Sequence, residues 1–152
     1  MAVRAKHDLG EAFVQGLFEG RDWSVLHRII HEGIRREAFG APTLHRFLLF
    51  AIRDDAIRLD LRNSIVSNRT WKRRVAEKSP LAPAEVERMT AVAEIVREVR
   101  RLYGGDRDAA DRFLSTPHRR FGGRAPILVA ATEGGAPAVR ELLSRMEEGA
   151  PA

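Results

Sequence analysis

The chain has no cysteine, which excludes disulfides, thiol catalysis and cysteine-ligated zinc. It holds no run of about 18 apolar residues, so no membrane-spanning helix is expected. The opening MAVRAKHDLGEAF has no apolar signal core, and a cytoplasmic location is expected. Catalytic signatures are missing too. There is no Gly-x-Ser-x-Gly elbow, and Gly122-Gly123-Arg124 lacks the glycine pattern and lysine of a phosphate loop. His27 and His31 have a helical metal-binding spacing, but the string is HRIIH, with Arg28 where a zinc protease carries glutamate. His45 and His118 do not follow at the spacing of a third ligand. Asp54-Asp55 and Glu147-Glu148 are adjacent pairs that point apart on helices. No active site, metal site or cofactor is expected, and the chain is read as no enzyme.

What the chain does hold is a balanced, foldable composition. Its 152 residues are 44% hydrophobic and 31% charged, enough for a core in one domain or two small ones. The net charge of +5 is unevenly spread. Residues 1–80 contain 15 basic and 10 acidic side chains, whereas residues 81–152 contain 11 of each. A basic half beside a neutral half suits a nucleic-acid-binding part joined to a protein-binding part.

The pattern along the chain is helical, with only residues 127–131 reading as a short rival strand, and the fold class is all-α. Residues 1–20 carry Gly10, Gly16 and Gly20, which interrupt any long helix, and form an N-terminal arm with a short apolar turn around Phe13 and Leu17. Asp22 caps a helix with Trp23, Leu26, Ile30 and Ile34 on one face. Pro42-Thr43 starts another, with a wide apolar stripe at Leu44, Phe47, Leu48, Ala51 and Ile52. A third is capped by Asp54 or Asp55 and ends in a polar turn, Arg62-Asn63-Ser64. Ser67 caps a fourth. In it Arg69, Lys72, Arg73 and Arg74, with Lys78 a turn later, gather cations, while Trp71 and Val75 anchor its inner face. SPLAP forms a stiff connector, and a long helix follows over residues 83–103, with apolar residues at steps of three and four.

The most densely punctuated stretch is residues 106–149. Asp106 caps a short helix that Thr116-Pro117 breaks. Gly122-Gly123 makes a corner, and Pro126 opens a second short helix. Gly134-Gly135 ends it, and Pro137 opens a last one that buries Val139, Leu142, Leu143 and Met146.

These features occur in a recognisable order. Phe113-Leu114-x-x-Pro117, Phe121-Gly122-Gly123-x-x-Pro126, Thr132-x-x-Gly135 and Val139-x-x-x-Leu143-x-Arg145-x-x-x-Gly149 resemble the toxin-binding domain of Xre/MbcA/ParS-type antitoxins. The resemblance also covers RTWKRRV at residues 69–75, which is similar to the recognition helix of that family's helix-turn-helix. It implies an N-terminal Xre-like helix-turn-helix part over residues 21–80. A toxin-binding domain follows over residues 81–152, made of the linking helix 83–103 and the helices of 106–149. There are two departures. The family's glycine ahead of the recognition helix is replaced by Asn63-Ser64-Ile65-Val66, where asparagine can supply a left-handed turn. An acid is also missing from Ile127-Leu128-Val129-Ala130, so this face is either more buried or meets the partner differently.

The resemblance further implies a function. Such antitoxins neutralise a RES-domain toxin, which consumes NAD or transfers ADP-ribose, by occluding its NAD-binding active site. Arg120, Phe121, Arg124, Arg145 and Glu148 would contact the toxin, while Gly122, Gly123 and Pro126 shape the corner. Arg69, Lys72, Arg73, Arg74 and Lys78 would bind operator DNA and so autoregulate the operon. This requires a homodimer or a toxin–antitoxin hetero-oligomer, because two half-sites need two recognition helices. The alternative is a helix-turn-helix transcriptional regulator without a toxin partner.

Overall fold

The computed structural model describes residues 2–149, with side chains from Leu9 onward. In chain order the helices are α1 (Ala2–Glu19), α2 (Trp23–Arg35), α3 (Ala41–Ala51), α4 (Asp55–Ile65) and α5 (Asn68–Glu77). They continue with α6 (Pro83–Leu102), α7 (Arg107–Ser115), α8 (Pro126–Ala130) and α9 (Gly135–Glu147), with a 3-10 turn at Arg119–Phe121. Among the described residues the fold is all-α, and the rival strand at 127–131 is helical, in α8. Among the described residues the β-type pairing is one isolated antiparallel bridge between His118 and Arg124. The chain divides into two compact units: residues up to Phe50 with Val66–Glu87, and Ala51–Ile65 with the residues from Arg88 onward. Helix α6 gives its first residues to the first unit and the rest to the second.

In the first unit, α1 is a continuous helix despite its glycines. The expected interruption does not occur, because Gly10 and Gly16 are buried at close approaches rather than at bends. A Cβ on Gly16 would lie 2.6 Å from Leu26 Cδ2 on α2, and one on Gly10 would lie 2.6 Å from Thr43 Oγ1 on α3. Gly33 of α2 likewise leaves room for the Phe39 ring. These absent side chains let Phe13, Val14 and Leu17 sink fully into the core. Phe13 lies 5.5 Å from Phe39 and 6.5 Å from Phe47, ring centre to ring centre. Such aromatic clusters gain about 0.5–1.5 kcal/mol per pair beyond area burial. The connector is tied down by Leu81, whose N–H donates to Phe39 O at 2.7 Å.

In the second unit, α4 departs from the sequence expectation. Its start is as expected, with Asp54 Oδ1 accepting from the Ile57 N–H at 2.9 Å. The Arg62-Asn63-Ser64 turn is instead the last turn of the helix. Arg62 is buried and donates to Asn63 Oδ1 at 2.6 Å, and Ser64 Oγ donates back to Asp60 O at 2.9 Å. These hydrogen bonds stay within the helix and leave its backbone helical to Ile65. Arg88 then donates twice to Ile65 O, at 3.0 and 2.8 Å, and covers the exposed end of α4. The turn before α5 is therefore Val66-Ser67 and uses no left-handed asparagine.

The rest of the second unit packs around α8, which touches α4, α7 and α9. Met89, Val92, Val96 and Val99 line the buried side of α6. Arg140 of α9 pairs with Glu94 of α6, and Arg101 donates to Glu147 at 2.9 Å. The second of these is solvent-exposed and contributes at most about 1 kcal/mol. Arg53 pairs with Asp108 at the start of α7. Nearby, burial, and secondarily the charge of Arg107, pushes the Arg100 guanidinium down to about 10, still charged at neutral pH. Helix α9 begins at Gly135, two residues before the proline expected to open it. The Gly135 N–H donates to Thr132 O at 3.0 Å, and a Cβ there would overlap the Val129 carbonyl oxygen. Only glycine allows α9 to start that close to the end of α8.

Candidate functional site

The corner between α7 and α8 is a small, tightly hydrogen-bonded device. Asp106 caps α7 by accepting from Ala109 N–H at 3.1 Å, and Thr116 leaves the helix in extended geometry just before Pro117. His118 is then the hub. Its N–H donates to Arg124 O at 3.1 Å, and its carbonyl accepts from Phe121 N–H at 3.0 Å and Gly123 N–H at 3.1 Å. Its ring Nδ1 accepts from Arg120 N–H at 3.1 Å, and the ring sits 5.6 Å from that of Phe121. Gly122 and Gly123 have φ of 63° and 83°, the left-handed region that costs other residues about 1–2 kcal/mol. The amides of Arg120 to Arg124 are consumed inside the corner, so what it offers outward is chiefly side chains.

Those side chains are strongly cationic. Arg119, Arg120 and Arg124 are exposed, and Phe121 is half-buried. Pro126 is buried at the first position of α8. Of the residues after it, Ile127, Val129 and Ala130 are buried. These three support the corner from within, while Leu128 between them, at the place of the missing acid, is only half-buried. Arg145 and Glu148 lie at the end of α9, both exposed, and Arg145 donates along its own helix to Glu141 at 3.4 Å. Sequence reasoning did not single out His118 as the corner's hub. The position of His118 directly after Thr116-Pro117, where a new turn has to be tied, was the available signal.

In the first unit, α5 carries the second set of predicted residues. Ser67 caps it, with Oγ accepting from Thr70 N–H at 3.3 Å. Arg69, Lys72, Arg73 and Lys78 are exposed, and Lys78 ends the helix at φ 53°. Arg74 turns inward. Its Nε donates to Glu85 Oε1 at 2.8 Å, and the two side chains are only 12% and 9% exposed. Glu85 also accepts from Ala82 N–H at 2.7 Å, so one carboxylate starts α6 and fixes α5. Trp71 is half-buried, but Val75, expected on the inner face, is 51% exposed. Helix α5 has no fully buried residue, so its inner face is too shallow to cover both. His27 and His31 are exposed on α2. Among the described residues no three His, Asp or Glu side chains gather as metal ligands, and no helix is long and apolar enough to cross a membrane.

Comparison with known proteins places this geometry. Residues 98–149, from late α6 to the end of α9, match the family model of the antitoxin Xre/MbcA/ParS C-terminal toxin-binding domain. The chain is 33% identical over 89 residues to a protein of Yersinia enterocolitica named Antitoxin Xre, covering 59% of this chain and 60% of that one. It is also 33% identical over 88 residues to an Antitoxin Xre of Pseudomonas putida, covering 58% of this chain and 55% of that one. The chain therefore spans less than two thirds of the length of these curated relatives. The matched stretch of residues 98–149 includes the whole of the cationic corner, and the rest of the chain lies outside it.

Proposed function

We propose that this chain is an antitoxin whose second unit seals the NAD-binding active site of a RES-domain toxin. The observation that carries this reading is the corner of residues 118–126, which lies within the matched toxin-binding domain. It presents Arg119, Arg120 and Arg124 to solvent on a hydrogen-bonded frame. Arginine and aromatic side chains on a rigid support are favoured anchors in interfaces. Arginines also match the paired oxygens of carboxylates or a pyrophosphate space. Inhibition on this reading is steric. The chain performs no reaction itself, and Arg145 and Glu148 add contacts from the end of α9.

The test is coexpression with the neighbouring gene product. Arg120→Glu with Arg124→Glu, both exposed and so compatible with folding, should abolish co-purification and rescue from growth arrest. Undiminished rescue by this double variant would overturn the assignment.

A second role is supported by α5, where Arg69, Lys72 and Arg73 are exposed on one side of a capped helix. On this reading the helix enters the major groove of operator DNA and two copies meet two half-sites, so that the antitoxin represses its own operon. Arg69→Ala with Arg73→Ala should weaken operator binding and reduce its log–log salt slope by about 2. A regulator without any toxin would retain this DNA binding and show no protein partner in the coexpression.

A further inference from the structure

Helix α5 has two exposed sides of different character. At about 100° per residue, Arg69, Lys72 and Arg73 fall together, while Trp71, Arg74, Val75 and Lys78 fall on the opposite side. The latter side and the start of α3 enclose a groove of about 570 Å³. Pro42, Trp71 and Val75 give it apolar walls, and exposed His45 and Lys78 stand at its rim. Arg74, which also lines it, is already neutralised by Glu85. The result is an open apolar trough with a positive edge.

Helix α4 carries the complementary shape. Leu59 is 57% exposed, and its neighbours on the same face, Ala56 and Asn63, are exposed as well. Asp55 and Asp60 flank this strip on either side, both exposed, with Asp55 also accepting from Arg58 at 2.7 Å. It is a leucine-centred helix face with acidic borders. Four large apolar side chains are more than two-fifths exposed among the described residues. Two of them, Val75 and Leu59, thus sit in surroundings of opposite charge.

We infer that α4 of a second copy of this chain docks into the groove between α3 and α5, with Leu59 against Trp71 and Val75. Asp60 then faces Lys78, since Asp55 is already paired with Arg58. Burial of two exposed apolar side chains supplies the attraction, and the charged borders set orientation and register. The Arg69–Lys72–Arg73 side of α5 stays uncovered in such an assembly. The inference stands independently of the antitoxin reading, since it uses no residue of the corner.

Sedimentation equilibrium of the full chain over a concentration series tests it. The wild type should self-associate, and Leu59→Glu and Val75→Glu should each weaken association at least about tenfold. Both positions are solvent-exposed, so circular dichroism and thermal unfolding of the two variants should match the wild type. Lys78→Glu and Asp60→Lys should each be impaired alone, and a mixture of the two proteins should regain association through one reversed pair. A wild type that stays monomeric throughout overturns the inference, as does self-association indifferent to Leu59 and Val75, or a mixture that gains nothing. If the chain is monomeric but Val75→Glu blocks co-purification with a partner protein, the groove belongs to that partner and the second-copy assignment fails.

Discussion

Helix α5 and the corner at residues 118–126 both display arginines to solvent, yet they are held by opposite means. The corner is fixed locally, by backbone hydrogen bonds among seven consecutive residues and by two left-handed glycines. Helix α5 buries no residue completely, and a buried ion pair ties its Arg74 to Glu85, eleven positions away. The lesson concerns sensitivity. A locally tied surface fails piecemeal when its turn residues change, whereas a helix held by a buried, distant ion pair depends on a residue outside its own surface.

That contrast can be broken or sharpened by substitution, because the two units have separate optical reporters. Both tryptophans, Trp23 and Trp71, lie in the first unit, and the single tyrosine, Tyr103, lies in the second. The largest effect is expected from Glu85→Ala, which leaves Arg74 buried without its partner and should cost about 3–5 kcal/mol. Denaturant unfolding followed by tryptophan fluorescence reads it, and an unchanged midpoint would show that α5 does not hang on this pair. Gly135→Ala comes next. Its Cβ would meet the Val129 carbonyl, and about 3 kcal/mol should be lost by overpacking, seen in Tyr103 fluorescence with little change in the tryptophan signal.

Smaller effects separate local from distant support. Gly122→Ala and Gly123→Ala should each cost about 1–2 kcal/mol, and Gly122→Asn less, since asparagine tolerates the left-handed region better than alanine. Equal losses for alanine and asparagine in thermal unfolding would point to crowding instead of backbone strain. Smallest of all, removing a helix cap should cost about 1 kcal/mol in either unit. Ser67→Ala should appear in the tryptophan signal and Asp106→Ala in the tyrosine signal. A cap change that moved both reporters equally would indicate that the two units unfold together.

Much of the second unit was legible beforehand. Asp106 as a cap, Thr116-Pro117 as a break, Gly122-Gly123 as a corner and Pro126 as a helix opener all depend on the dihedral and hydrogen-bonding preferences of one or two residues. The family pattern over residues 113–149 is made of such residues, which is why it could be read at all. The first unit was less legible. Gly10 and Gly16 look like interruptions in a linear string, because nothing in that string says that Leu26 or Thr43 will occupy the space a side chain there would need. Arg74 likewise reads as one cation among five, and its inward turn follows from where Glu85 comes to rest.

The amino-acid sequence by itself determined the helical class, the ends of most helices and the shape of the corner, since capping, proline geometry and left-handed glycine act over a few neighbouring residues. Tertiary packing alone decided that α4 would keep its last turn, that Gly135 would seat α9 against Val129, and that Val75 would stay outside while Arg74 went in. Each of these depends on which surface lies opposite, and that is fixed only when distant segments compete for the same buried space.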